Sequence, residues 1–156
     1  MRYCHLAPAL LAAPFLCLLC FAAGGPPNFS GTWQLDQAKS PGVEFSTVTL
    51  TIQDASGKIK LTRVAQEKDG KEITSSFSCA TGGVTCDFEE GSHKAKVSLW
   101  YDGTALVILK TDGPKEDSVT QWKLQLSPDK GTLSVDLTHI EPNDKSESLV
   151  FDKKAS

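Results

Sequence analysis

The chain has 156 residues, 40% of them hydrophobic and 22% charged, with 16 basic against 19 acidic side chains and a formal charge of -3. That length suits about one domain, and the balance excludes a disordered tail, a polytopic membrane protein and a basic nucleic-acid binder. There are five cysteines, an odd count that a small protein has to account for.

The first 24 residues differ from the rest. Arg2 is followed, from Leu6 to Ala23, by a run without a charged side chain, ending in Ala22-Ala23-Gly24 before Gly25-Pro26-Pro27. A charged start, an apolar stretch and a small-residue exit are the layout of a secretory signal peptide. The expected cut precedes Gly25, with Cys20-Phe21-Ala22 as the second small-x-small fit. Pro8 and Pro14 argue against a membrane-anchoring helix, so no membrane span is expected after cleavage. Leu16 and Leu19 precede Cys17 and Cys20, where a lipidation site prefers a small residue. Residues 1–24 are therefore read as a leader and 25–156 as one domain, secreted or periplasmic.

The leader takes Cys4, Cys17 and Cys20 with it, along with Arg2, and leaves 15 basic and 19 acidic side chains, a formal charge of -4. Cys79 and Cys86 remain. An even pair in an exported protein reads as a disulfide. Six intervening residues do not fit C-x-x-C redox chemistry, and two thiols alone make a poor metal site.

Downstream, alternation at period two dominates, which is the strand signal. The expected strands, in order, are Gly31 to Gln37, Val48 to Ile52, Lys58 to Arg63, Ile73 to Cys79, Val84 to Phe88 and Lys94 to Tyr101. Thr104 to Lys110, Ser118 to Leu126, Thr132 to His139 and Ser146 to Phe151 follow. Turn residues separate them: Asp54-Ala55-Ser56-Gly57, Lys68-Asp69-Gly70-Lys71, Thr81-Gly82-Gly83, Asp102-Gly103, Asp112-Gly113-Pro114, Ser127-Pro128-Asp129-Lys130-Gly131 and Glu141-Pro142-Asn143-Asp144. Successive hairpins favour an all-β, antiparallel up-and-down barrel of about 8–10 strands, with a two-sheet sandwich as the alternative. A membrane barrel needs strands of roughly 9–11 residues with an outward apolar band, and the expected strands are mostly shorter.

Gly31-Thr32-Trp33, in Asn28-Phe29-Ser30-Gly31-Thr32-Trp33-Gln34-Leu35-Asp36, resembles the opening of lipocalin-like barrels. The Trp122-x-Leu124-x-Leu126-Ser127-Pro128-Asp129 stretch and the Val150-Phe151-Asp152-Lys153 ending are similar to small exported bacterial lipocalin-like proteins of the calycin type. The resemblance spans most of the chain after the leader. It implies a barrel whose end is closed by Gly31 and Trp33, with a late arginine across the indole. The only arginine after the leader is Arg63, far too early, which leaves Lys153 or Lys154 as a partial substitute.

Candidate chemistry is sparse. His93 and His139 have no ligand-like spacing, so no metal or cofactor is expected. Glu89-Glu90 and Glu116-Asp117 are adjacent pairs that a strand would point to opposite faces, and they read as ordinary exposed charges. No nucleophile elbow, phosphate loop or dinucleotide glycine pattern occurs, and no enzyme is expected. Arg63 shares a face with Ile59 and Leu61. Pointing inward, it would hold a ligand carboxylate or phosphate; at a strand end or bulge, it would reach the rim instead. Phe77, Phe88, Trp100 and Trp122 either line a pocket or pack the core. Arg63, Phe77, Trp100 and Trp122 are the candidate ligand-binding residues. The leading expectation is a non-catalytic binding protein for a small apolar or amphipathic ligand, with no nucleic-acid partner. The alternative is an envelope interaction protein with a filled barrel and a protein partner that the residues do not identify.

Overall fold

The computed structural model describes residues 25–113, 118–141 and 144–155. Ten strands run in chain order: β1 (Gly31–Leu35), β2 (Thr47–Ala55), β3 (Lys58–Gln66), β4 (Glu72–Ala80), β5 (Gly82–Glu90), β6 (His93–Asp102), β7 (Ala105–Asp112), β8 (Ser118–Leu126), β9 (Thr132–Glu141) and β10 (Lys145–Lys153). Each pairs antiparallel with its neighbour in sequence, and β1 pairs with both β2 and β10, so the sheet closes into a barrel. Closure removes the free edges that an open sheet would present to other chains.

Period-two alternation sorts the side chains. Val48, Leu50 and Ile52 of β2, Ile59, Leu61 and Ala65 of β3, Val97 and Leu99 of β6 and Leu133 and Val135 of β9 are buried inside. Their outward neighbours on β2 and β3 are polar: Thr49, Thr51 and Gln53, then Lys58, Lys60 and Thr62. Nine strands are 8–10 residues long, longer than the pattern alone suggested. The outward row on β2 and β3 is thus polar, not the apolar band of a membrane barrel. Expected and observed ends differ where turn chemistry intervenes. β1 stops at Leu35, not Gln37, because the Asp36 carboxylate accepts the Ala38 and Lys39 N–H groups and turns the chain. β3 continues past Arg63 to Gln66 in unbroken register with β2. Between Ala55 and Lys58, Ser56 (φ 55°) and Gly57 (φ 71°) are both left-handed, as a two-residue type I′ hairpin requires.

The N-terminal segment seals one end. Phe29 and Trp33 are fully buried, and the Trp33 indole N–H donates to the Phe29 carbonyl at 3.1 Å. Asp54 gathers the segment: its carboxylate accepts the Phe29 N–H at 3.1 Å and the Tyr101 hydroxyl at 3.0 Å. Burial, then that hydrogen bond, pushes the Tyr101 phenol up to about 12. Lys153 lies opposite Trp33 in the β1–β10 register, with its ammonium 5.2 Å from the ring centroid. At Gly31 (φ 149°) a Cβ would meet the Lys153 Cε at 3.0 Å, so glycine suits both the backbone and the close approach.

The β4–β5 ladder is short: Ser75 faces Glu90, Ser76 faces Glu89 and Phe77 faces Phe88. Beyond it, the Cys79–Cys86 disulfide joins the two strands across a Cα separation of 5.7 Å. A loop this short contributes about 2–3 kcal/mol in the chain-entropy model. Replacing both cysteines by serine should lower the unfolding free energy by about that amount in urea titrations. Equal stability of the two proteins would show that the hairpin holds without its staple.

Candidate functional site

The barrel interior has two storeys. From the sealed end upward it is filled by apolar side chains, with Phe77 and Phe88 facing each other across β4 and β5 at 6.4 Å. Toward the other end the same inward rows become polar. Arg63 follows Leu61 on β3, Ser75 precedes Phe77 on β4, Glu90 follows Phe88 on β5, Lys110 follows Ile108 on β7 and Glu147 precedes Leu149 on β10.

The connection from Asp36 to Ser46 arches over this polar end. Ser40 is buried and pinned to β10, its hydroxyl accepting the Val150 N–H at 2.9 Å. The Gln37 side-chain amide donates to the Phe45 and Ser46 carbonyls at 2.7 and 3.1 Å. Phe45 lies against Arg63, its ring centroid 4.8 Å from the guanidinium carbon.

Beneath this arch is a vestibule of about 400 Å³, walled by Val43, Phe45, Val48 and Glu147 among others. Below lies a narrower chamber of about 50 Å³ lined by Leu50, Leu61, Leu124, Val135 and Phe151. Arg63, Trp122, Leu137 and Leu149 belong to both walls, so one space leads into the other. The vestibule falls in the usual range of small-molecule sites, roughly 300–1,000 Å³. The chamber exceeds the roughly 10–15 Å³ that one water needs.

Arg63 is the one charged residue in the wall of the chamber. Its side chain is 20% exposed, and burial pulls its pKa down, opposed by the Glu90 carboxylate. Glu90 approaches to 3.9 Å, an ion pair beyond hydrogen-bond reach. Two buried groups nearby find no hydrogen-bond partner among the described residues: the Ser75 hydroxyl and the Trp122 indole N–H. The other inward cations at this end are occupied; Lys145, in the vestibule wall, pairs with Glu147 at 2.8 Å. Lys110 pairs with Asp112 and stands 4.8 Å over the Phe88 ring, while His93 reaches the same carboxylate at 2.5 Å. Burial pushes Asp112 up, but hydrogen bonds from Lys110 and His93 outweigh it and hold the carboxyl below its ordinary value.

The structure brings Arg63 and Trp122 together in one wall. Phe77 is buried deeper, against Phe88, as packing. Trp100 is corrected: Val97, Leu99 and Tyr101 take the inward positions of β6, so Trp100 faces outward between Gly82 and Val107 in the ladders. His93 is an ion-pair partner, and His139 sits near the Thr120 hydroxyl at 3.4 Å. No group of His, Cys, Asp and Glu suited to a metal occurs among the described residues. Glu89 and Glu90 do point to opposite faces, but Glu90 is the Arg63 counter-ion, not a plain exposed charge. Glu116 and Asp117 lie outside the described residues. Sequence reasoning missed Glu90, Leu137, Leu149 and Phe45. Parity marks the first three, since Glu147, Leu149 and Phe151 alternate along β10 and Phe88 precedes Glu90 by two. Phe45 lies in an aperiodic connection that carries no such signal.

No family model matches the chain, and no curated protein matches it in sequence. Solved structures do. Fatty-acid-binding protein 1 of Echinococcus granulosus superposes with a TM-score of 0.58 at 16% identity, over 81% of this chain and 98% of the other. A SAHS heat-soluble protein of Ramazzottius varieornatus gives 0.58 at 10% identity, over 80% and 94%. A variant of the fluorescent protein UnaG gives 0.57 at 17% identity, over 82% and 97%. At these identities the likeness establishes the fold. The chain is a ten-stranded, all-antiparallel closed barrel with the fold seen in that fatty-acid-binding protein structure.

A lowered carboxyl stabilises the fold above its unfolded pKa of about 3.9 and loses that contribution as pH falls through the folded value. The stability advantage of wild type over Asp112→Asn should therefore be present near pH 6 and shrink below about pH 4 in thermal melts. An advantage that stays constant down to about pH 2 would contradict the depressed carboxyl.

Proposed function

We propose that this protein is an exported, non-catalytic binding protein that takes one small apolar or amphipathic molecule inside its barrel. The ligand's apolar part lies in the vestibule against Phe45, Val48, Leu137 and Leu149, with its tip reaching the chamber, and its polar end rests beside Arg63 and Trp122. The observation that carries this is the cavity itself: apolar at depth, with one cation and one unpartnered indole N–H in its wall. Concave apolar sites with a few placed polar groups are where small molecules bind. Fatty-acid-binding protein 1 is named for such a ligand, whereas the SAHS neighbour is named for heat solubility, so the fold alone does not choose. Export rests on the apolar leader and on the disulfide, which persists in oxidising compartments.

A second reading has its own observation. On the outside, Trp100 faces out opposite Gly82, and Val84, two residues further along the same strand as Gly82, is 51% exposed; these are the side chains a protein partner would meet there.

Native mass spectrometry with 1-decanoylglycerol should show one molecule per chain. Leu137→Trp, which fills the shared wall, should weaken binding by about tenfold or more while leaving the melting temperature within a few degrees. Unaltered binding by the folded variant would move the ligand out of the barrel and favour the outer surface.

A further inference from the structure

Arg63, Ser75 and Glu90 are in register across three adjacent strands: Arg63 faces Ser75 on β4, and Ser75 faces Glu90 on β5. All three point inward, and the guanidinium and carboxylate approach to 3.9 Å across the serine between them. A small side chain at the middle position leaves that approach open. Ser75 is only 1% exposed, and its hydroxyl has no hydrogen-bond partner among the described residues. Charge and hydrogen bonding are thus treated differently here. Glu90 balances the charge of Arg63 without receiving a hydrogen bond from it, so the guanidinium N–H groups stay available to an oxygen acceptor in the cavity, with the Ser75 hydroxyl and the Trp122 indole N–H unpartnered among the described residues.

Resting on the binding reading above, we propose that the site prefers an amphipathic ligand with an uncharged, oxygen-bearing head, an alcohol or acylglycerol, over the carboxylate of the same chain length. Glu90, 3.9 Å from the guanidinium, already offsets much of the charge that an anion beside Arg63 would otherwise find. The anion still gives up its hydration on entry, a loss far smaller for a neutral hydroxyl or ester. Lys110 and Lys145 offer no alternative, because Asp112 and Glu147 already hold them. The approach points the same way. Around the vestibule and its rim, Glu44, Glu67, Asp69 and Glu147 outnumber Arg63, Lys68 and Lys145, so the entrance is mildly negative and does not steer anions inward.

Isothermal titration of the purified protein near pH 8 with 1-decanoylglycerol and with decanoate tests this. The acylglycerol should bind at least about tenfold more tightly. Glu90→Gln should strengthen decanoate binding by about tenfold and change acylglycerol binding by less than about threefold. Equal or tighter binding of decanoate by the wild type overturns the proposal while the binding function stands, and so does a folded Glu90→Gln protein with unchanged decanoate affinity. If Glu90→Gln fails to fold, the wild-type comparison decides alone. Binding of neither probe overturns the binding function and this inference together.

Discussion

β1 spans only five residues, yet it joins β2 to β10 and so decides whether ten strands make a barrel or an open sheet. A strand that short has few ladder bonds to offer, and Trp33 supplies much of the rest. The indole is fully buried, donates to the Phe29 carbonyl and lies beneath the Lys153 side chain that faces it from β10. Burying so large an aromatic surface contributes on the order of 2–3 kcal/mol. Asp54 extends the same anchor across the barrel by accepting from the Phe29 N–H and from Tyr101 on the far side. Closure and the sealing of one end therefore rest on the same side chains.

Once the sheet is closed, each residue on a strand faces either in or out, and the interior inherits whatever the inward rows carry. Below, they carry Leu, Ile, Val and Phe and pack solid; above, they carry Arg63, Ser75, Glu90, Lys110 and Glu147. Charges this far inside persist only when paired. Arg63 with Glu90, and Lys110 with Asp112 and His93, meet that condition. The cavity survives where the two storeys meet, because Arg63 and Trp122 hold the wall while the Asp36–Ser46 connection arches over it.

The meander, its turns and the disulfide were legible in the sequence because each rests on local chemistry: alternation, glycine and aspartate at turns, an even cysteine pair. The parity of Arg63 with Ile59 and Leu61 was legible too, but with the strand expected to end at Arg63 a rim position stayed open until β3 was seen to continue to Gln66. Its partner was not. That Arg63 and Glu90 meet across Ser75 depends on the register of β3, β4 and β5 together, and no single stretch of sequence encodes it. Trp100 misled through residue type: a tryptophan suggests a pocket, but its parity with the outward Lys96 and Ser98 of β6 places it outside. The lysine opposite Trp33 shows the reverse case, with one cation doing the packing expected of another.

The same barrel carries a fatty-acid-binding protein and a heat-soluble protein among its structural neighbours, so function must be decided at the cavity. The three tryptophans report on three different places: Trp33 at the sealed end, Trp100 on the outer face and Trp122 in the cavity wall. Their indole N–H resonances, followed by two-dimensional NMR during titration with 1-decanoylglycerol, separate the two functional readings in one experiment. Binding inside the barrel predicts that the Trp122 indole signal shifts while those of Trp33 and Trp100 hold still. A shift at Trp100 with Trp122 unmoved would contradict it.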